Sequence, residues 1–284
     1  MKPKYYVLFG MLLCTCFVSY TIEKKSKVNI NSIQRFSEAF VNPSMAYRPG
    51  AYWTWLNGDV TKASITHDLE EMKAKGMGRA EIYDLLAMHN PDGKYGVGPE
   101  FLGEESVQSI LHALAEGKRL GIQIGMVASS GWNAGGPWVK PDWAAKALYT
   151  SALSIVGPRV YSDTLPLPDF PKKCPKDKNG VPQYMKEIAI MAIRDNPNKK
   201  INTSDDIIIL NKQFDGEKLQ WQVPEGKWTI LRFVCSNTGQ HLIIPSPNSD
   251  GLQIDFLDPK ATTRYLQHIL NRLRITKQNA KSLF

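Results

Sequence analysis

The residues best placed for chemistry gather in the run Ser129 to Val139, SSGWNAGGPWV, where two tryptophans, an asparagine and three glycines fall within eleven positions. Several glycines together are costly to order, so a chain uses them where its backbone turns sharply or lets another group approach closely. Trp132 and Trp138 add flat apolar faces with one N–H each, and Asn133 between them adds a donor and an acceptor. That set suits a sugar ring or a packed lid; each tryptophan taken alone also fits a buried core-capping loop. Upstream, Trp55 lies in the aromatic stretch Tyr52 to Leu56, which ends in Asn57, Gly58 and Asp59, and Asp84 closes the stretch AEIYD before a loop holding His89. Other chemistries lack their signatures: there is no phosphate loop with its Lys and Ser/Thr, no nucleophile elbow and no histidine pair at metal spacing.

Elements that could position these residues follow from periodicity. Tyr52 to Leu56 reads as a short buried strand, and a helix capped by Thr61 follows, with Ile65, Leu69 and Met72 on one face and Gly76 as its stop. Ala80 to Tyr83 reads as a second strand. Val107, Ile110, Leu111 and Leu114 mark a second helix that ends in Lys118, Arg119 and Gly121, and Gln123 to Val127 is a third strand. Strand-helix units of this size predict parallel strands joined by right-handed crossovers, hence an α/β fold, and such folds bind ligands on loops leaving the C-terminal ends of strands. The rule places Asn57, Asp59, Asp84, His89, Trp132, Asn133 and Trp138 on one rim. Each also has a plain reading: Asn57 and Asp59 as turn formers, Asp84 as half of an ion pair, His89 as a solvated loop residue.

A helical segment is expected from Asp142 onward, and the pattern changes from about Ala144. Prolines from Pro158 to Pro182 punctuate loops, and Glu187–Arg194, Ile207–Leu210, Leu219–Val223 and Trp228–Cys235 read as strands, with Pro224 to Lys227 as a turn. This predicts a β-rich, sandwich-like insertion over residues 158–247, following strand-helix units over 40–157. Leu252–Phe256 then reads as a buried strand containing Asp255, and Pro259–Leu273 as an amphipathic helix, so alternation resumes over 248–284.

The formal net charge is +8, and six of the basic residues (Lys260, Arg264, Arg272, Arg274, Lys277, Lys281) follow the last acid, Asp258. The rest of the chain is nearly balanced and lacks basic residues interleaved with aromatics, which argues against a nucleic-acid groove. Lys2 and Lys4 followed by the apolar run Tyr5–Tyr20 predict a signal peptide over residues 1–21 and export to the periplasm or outer surface of a bacterium. Leu13-Cys14-Thr15-Cys16 approaches the pattern of a lipid-anchored leader. Cys174 and Cys235 then remain, a pair that could join in an oxidising compartment.

The run RPGAYWTWLNGDVTKASITHDLEEMKAKGMG, then AEIYD, KRLG, SSGWNAGGPWV, VPEGKWTILRF and GLQIDFLDP resembles the start of the catalytic region of glycoside hydrolase family 106, the exported α-L-rhamnosidases. The resemblance implies a (β/α)8 TIM-type barrel, present here in part and interrupted by the β-rich insertion. It also implies release of L-rhamnose from plant polysaccharides with inversion, assisted by calcium. Inversion uses two carboxyl groups roughly 6.5–9.5 Å apart. Glu81, Asp84 and Asp255, in or at the ends of expected strands, are the catalytic candidates here; Trp55, Asn57, Asp84, Trp132, Asn133 and Trp138 are the substrate-binding ones. Members of that family are much longer, with catalytic glutamates and much of the calcium site beyond this stretch. The resemblance therefore leaves two readings, a rhamnosidase represented by its N-terminal portion and a catalytically inactive remnant or weak carbohydrate-binding module.

Overall fold

The computed structural model describes residues 30–195 and 206–275; the expected signal peptide and the Cys14/Cys16 motif lie outside them. An exposed helix α1 (Ile30–Val41) precedes β1 (Gly50–Leu56), α2 (Lys62–Ala74), β2 (Arg79–Leu85), α3 (Glu104–Leu120) and β3 (Gln123–Met126). β1, β2 and β3 form a three-stranded sheet in that order, parallel throughout, with Trp55 opposite Asp84 in the register. The local reasons are the expected ones. Thr61 and Ser64 form a reciprocal cap at the start of α2, and Gly121 takes the left-handed conformation that ends α3.

Both crossover helices pack on one face of this sheet. Trp53, Trp55, Ala80, Ile82 and Ile124 meet Ile65 and Leu69 of α2 and Val107, Ile110 and Ala113 of α3 in one core, which Tyr265 and Ile269 of α4 (Pro259–Arg272) extend. Strand alternation sends the intervening residues to the other face, which no helix among the described residues covers. Tyr52 there is 75% exposed and its ring lies 5.8 Å from that of Tyr83. The parallel sheet is open, three strands wide, and the rest of the described β-structure belongs to other sheets.

The helix expected from Asp142 does not form. A single turn, Pro141–Trp143, leads into β5 (Lys146–Thr164), because Ala147 to Val156 alternates and pairs residue by residue with β8 (Lys218–Asn237). With β6 (Met185–Arg194) and β7 (Ile207–Ile209) these form one antiparallel sheet ordered β5-β8-β6-β7, so the β-rich region is a single sheet where a sandwich was expected. Nor does Pro224 to Lys227 reverse the chain. It lies opposite Gly157 and Pro158 of β5, where the register shifts, and it bulges within one continuous strand. Both halves of β8 feed one core: Leu219, Trp221 and Val223 pack with Trp228 and Ile230, and the rings of Trp221 and Trp228 meet edge to face at 5.6 Å.

Cys174 and Cys235 are both free. Cys174 Sγ lies 3.6 Å from Ser236 Oγ. Successive strand residues point to opposite faces, so Cys235 points away from Cys174. The strand expected over Leu252–Phe256 shrinks to β9 (Leu252–Gln253), which pairs antiparallel with β4 (Gly135–Gly136) and does not join the parallel sheet.

Leu219, fully buried in the second core, offers a direct check on that core. Replacing it by Ala should cost about 2–5 kcal/mol, measured by chemical denaturation. A loss below about 1 kcal/mol would show that the two halves of β8 do not share a packed interior.

Candidate functional site

The rim at the C-terminal end of the parallel sheet is built from four loops. Asn57, just past β1, adopts a positive φ of 58°, which asparagine tolerates better than most residues. Its Nδ2 donates to the carbonyl of Gly96 at 3.0 Å and its Oδ1 accepts from the amide of Ala87 at 2.8 Å. Its side chain therefore ties the loop after β1 to the loop after β2. Asp59 does similar work by accepting from the amide of Gly96 at 2.8 Å. Trp55, by contrast, is a core residue, buried and packed edge to face on Trp53.

The glycine-tryptophan loop is held from two sides. Below it, the Tyr265 hydroxyl donates to the carbonyl of Ala128 at 2.5 Å and accepts from the amide of Gly135 at 3.2 Å. Burial pushes the Tyr265 phenol up, and contacts with Ser129 and Gly135 pull it back in part. Trp138 stacks on Tyr265 and on His268, with centroid distances of 5.9 and 4.6 Å, so its ring is committed to packing. Burial, aided by Arg272, holds the His268 imidazole below its usual range.

Beside it runs residues 238–251, a segment absent from the expected site. Gly131, at φ 81°, brings its backbone so near that a Cβ would sit 2.3 Å from the Ile243 carbonyl. The Trp132 amide donates to that same carbonyl at 3.1 Å. The Asn133 side chain clamps the segment: Oδ1 accepts from the Ile243 amide at 2.6 Å, and Nδ2 donates to the His241 carbonyl at 3.2 Å and to Gln253 Oε1 at 2.8 Å. The backbone of Trp132 is thus fixed while its side chain is 65% exposed. A rigidly held aromatic face left in water is what a stacking platform requires. Ser, Pro, Asn and Gly crowded into PSPNSDG (residues 245–251) are the signal of a structured loop that could have flagged this segment.

Asp84 is the electrostatic centre of the rim. It is 3% exposed. One carboxylate oxygen accepts from the hydroxyls of Ser130 and Ser246, the latter at 2.7 Å, and the Ser246 amide donates to Ser130 Oγ at 2.8 Å. Burial raises its pKa above the usual carboxylate range, with the two serine hydroxyls opposing. Ser249 and Asn248 extend the junction to the loop after β2, accepting from the amide of Phe101 at 2.8 Å and donating to the carbonyl of Gly98 at 2.9 Å.

The three carboxylates do not converge. Glu81 lies on the sheet face opposite Asp84, partly buried and without a partner among the described residues, its carboxylate lying over Gly125. It lines a cavity of about 640 Å³ with Arg79, Lys118, Gln123 and Met45 along the free edge of β3, away from the rim loops. Asp255 is occupied: Oδ2 pairs with Lys146 Nζ at 3.2 Å and Oδ1 accepts from the amide of Leu257 at 3.1 Å. His89 is exposed on its loop, as its solvated reading has it. Among the described residues no three His, Cys, Asp or Glu side chains gather to hold a metal.

Comparison with known proteins completes this geometry. The family model for glycoside hydrolase family 106, described as alpha-L-rhamnosidase, matches residues 41–174 and 175–282. The chain belongs to this family. It is similar to a Formosa agariphila protein named "Putative beta-glucuronidase", 28% identical over 272 residues, covering 86% of this chain and 23% of that protein. Its fold is similar to that of a rhamnosidase from Novosphingobium sp. PP1Y, with a TM-score of 0.60 at 18% identity over 84% of this chain and 37% of the other. The family 106 chain thus spans about a quarter of its curated relative and little more than a third of the solved structure.

Asp84 yields a pH prediction. Because burial raises its folded-state pKa, the fold favours the protonated carboxyl; its contribution is full below the unfolded value of about 3.9 and is lost as pH rises through the folded value. Asp84→Asn keeps an acceptor for both serines and cannot ionise. The variant should therefore match the parent in urea denaturation near pH 4 and exceed it at pH 7. Parallel stability curves would contradict the assignment.

Proposed function

We propose that this chain is the N-terminal portion of an exported glycoside hydrolase of the α-L-rhamnosidase type, and that its rim supplies one wall of a glycan site. Trp132, an exposed indole on a backbone pinned from two sides, carries the reading together with the family match. In this reading the parallel sheet is the first part of a (β/α)8 barrel whose interior face is the uncovered one bearing Tyr52, Glu81 and Tyr83. The free edge of β3, with its cavity lined by Leu114, Gly117, Ile122 and Ile124, is where the next strand-helix unit belongs.

The proposal extends to an inverting mechanism, with L-rhamnose of plant polysaccharide as the sugar released. An acid must protonate the leaving oxygen and a base must activate water on the opposite face. Asp84 is bound to two serines and Asp255 to Lys146, so both act here as positioning groups, and Glu81 stands alone. The acid and base therefore come from outside this stretch. The calcium ion implied by the family finds no ligand set among the described residues, so no step is routed through it; a calcium requirement belongs to the proposal for the whole enzyme. Export, and a lipid anchor at Cys16, rest on the leader motif alone; no helix among the described residues is long and apolar enough to cross a membrane.

The occupied carboxylates favour a second reading of the chain taken alone, a catalytically inactive remnant that binds glycan weakly. The purified 284-residue chain should bind methyl α-L-rhamnoside in calorimetry and leave an aryl α-L-rhamnoside intact, with calcium or with chelator. Trp132→Ala should weaken binding roughly tenfold, the scale of about one aromatic contact, without lowering the melting temperature. Calcium-dependent turnover would overturn the remnant reading. Binding of β-glucuronides in place of rhamnosides would overturn the rhamnosidase assignment.

A further inference from the structure

Residues 240–242 run antiparallel to residues 251–253, with the Leu242 amide donating to the Gly251 carbonyl at 3.0 Å and the Gln253 amide to the Gln240 carbonyl at 2.9 Å. In such a strand alternate side chains share a side. Leu242 points inward and is buried, while His241 and Ile243 point outward, Ile243 at 54% exposure. Ile243 is the residue whose carbonyl receives the Trp132 amide, and the Asn133 side chain spans both His241 and Ile243. An indole, a branched aliphatic side chain and an imidazole are therefore carried by backbone segments joined to one another on the rim.

The imidazole is oriented. His241 Nδ1 lies 3.0 Å from Asp250 Oδ2, and the other oxygen of Asp250 accepts from the amide of Gly251 at 2.8 Å, which holds the carboxylate in its own turn. In the tautomer whose Nδ1–H donates to Asp250, Nε2 is left as an acceptor. Nε2 has no partner among the described residues, and the side chains of His241 and Asp250 are 44% and 53% exposed.

We propose that His241, oriented by Asp250, is a substrate-binding residue of the rim. Its Nε2 accepts a hydrogen bond from a hydroxyl of a neutral sugar whose ring lies on Trp132, and Ile243 supplies apolar contact for a deoxy-sugar methyl group. Asp250 is a positioning residue. The inference rests on the glycan-site reading above and names a specificity element within it: a neutral sugar that donates a hydroxyl proton is preferred over one presenting a carboxylate on that side, since Asp250 lies behind the ring.

The test uses the 284-residue chain, with methyl α-L-rhamnoside and methyl β-D-glucuronide as probes in NMR titrations. His241→Ala should weaken rhamnoside binding about fivefold, the worth of about one hydrogen bond, with an unchanged melting temperature. His241→Gln, which restores an acceptor, should recover part of the loss, a recovery that a purely structural role would not give. Asp250→Ala should weaken binding by a smaller factor. If Trp132→Ala weakens binding and His241→Ala does not, the inference fails while the glycan-site reading stands. If the parent binds neither probe, the glycan-site reading itself fails. If the glucuronide binds more tightly and His241→Ala abolishes that preference, the proposed hydroxyl contact is replaced by a carboxylate one.

Discussion

The constraint on which this molecule depends is the backbone-to-backbone approach of two loops, residues 129–138 and residues 238–253. At Gly131 a Cβ would lie 2.3 Å from the Ile243 carbonyl, and at Gly251 one would lie 2.1 Å from the backbone of Gly136. A side chain has no room at either glycine, so the seam is closed around them by amides, carbonyls and the Asn133 side chain. The consequences reach outward. The seam brings Ser246 to Ser130 and both to Asp84, and it leaves the Trp132 ring no place in the interior. An exposed aromatic face is thus a product of the packing beneath it.

Two cores carry the seam between them. The first lies under the parallel sheet and reaches the loop through Tyr265, whose hydroxyl bonds Ala128 and Gly135. The second lies inside the bent antiparallel sheet and delivers, at the end of β8, the segment that becomes the second loop. A partly buried Lys146–Asp255 pair at the base of β5 joins the two regions, with the Lys146 ammonium also donating to the carbonyls of Asp142 and Ala144. Charge is spent here on register and junctions. Asp84 is bonded into the rim and Asp255 into the junction beside it, while Glu81 lies apart from both.

The parallel sheet and its helices were legible because each carries a strong local signal: Ile65 and Leu69 at helical spacing, Thr61 as a cap, Gly121 as a stop. Asn57, Asp84 and the glycine-tryptophan loop were legible as rim residues because strand ends fix where loops emerge. What each side chain does there was not. Asn57 and Trp138 are spent on backbone and stacking partners far along the chain, and nothing local announces such a partner. The run after Asp142 failed as a helix because its cross-strand partner, more than 60 residues later, decides its state. The Pro224 turn failed for the same reason, since Gly157 and Pro158 opposite convert it to a bulge. The 238–251 loop was missed because its role depends on contact with Gly131, a long-range fact.

On the proposed reading a single indole, that of Trp132, meets the sugar, while the other tryptophans are packed against the two cores. The chain has seven tryptophans, and each gives one indole N–H signal in a nitrogen-15 correlation spectrum. Titration with methyl α-L-rhamnoside should shift the Trp132 signal, assigned by its loss in Trp132→Phe, and leave those of Trp53, Trp55, Trp221 and Trp228 in place. Saturable shifts confined to the buried indoles, with the Trp132 signal unmoved, would contradict the account.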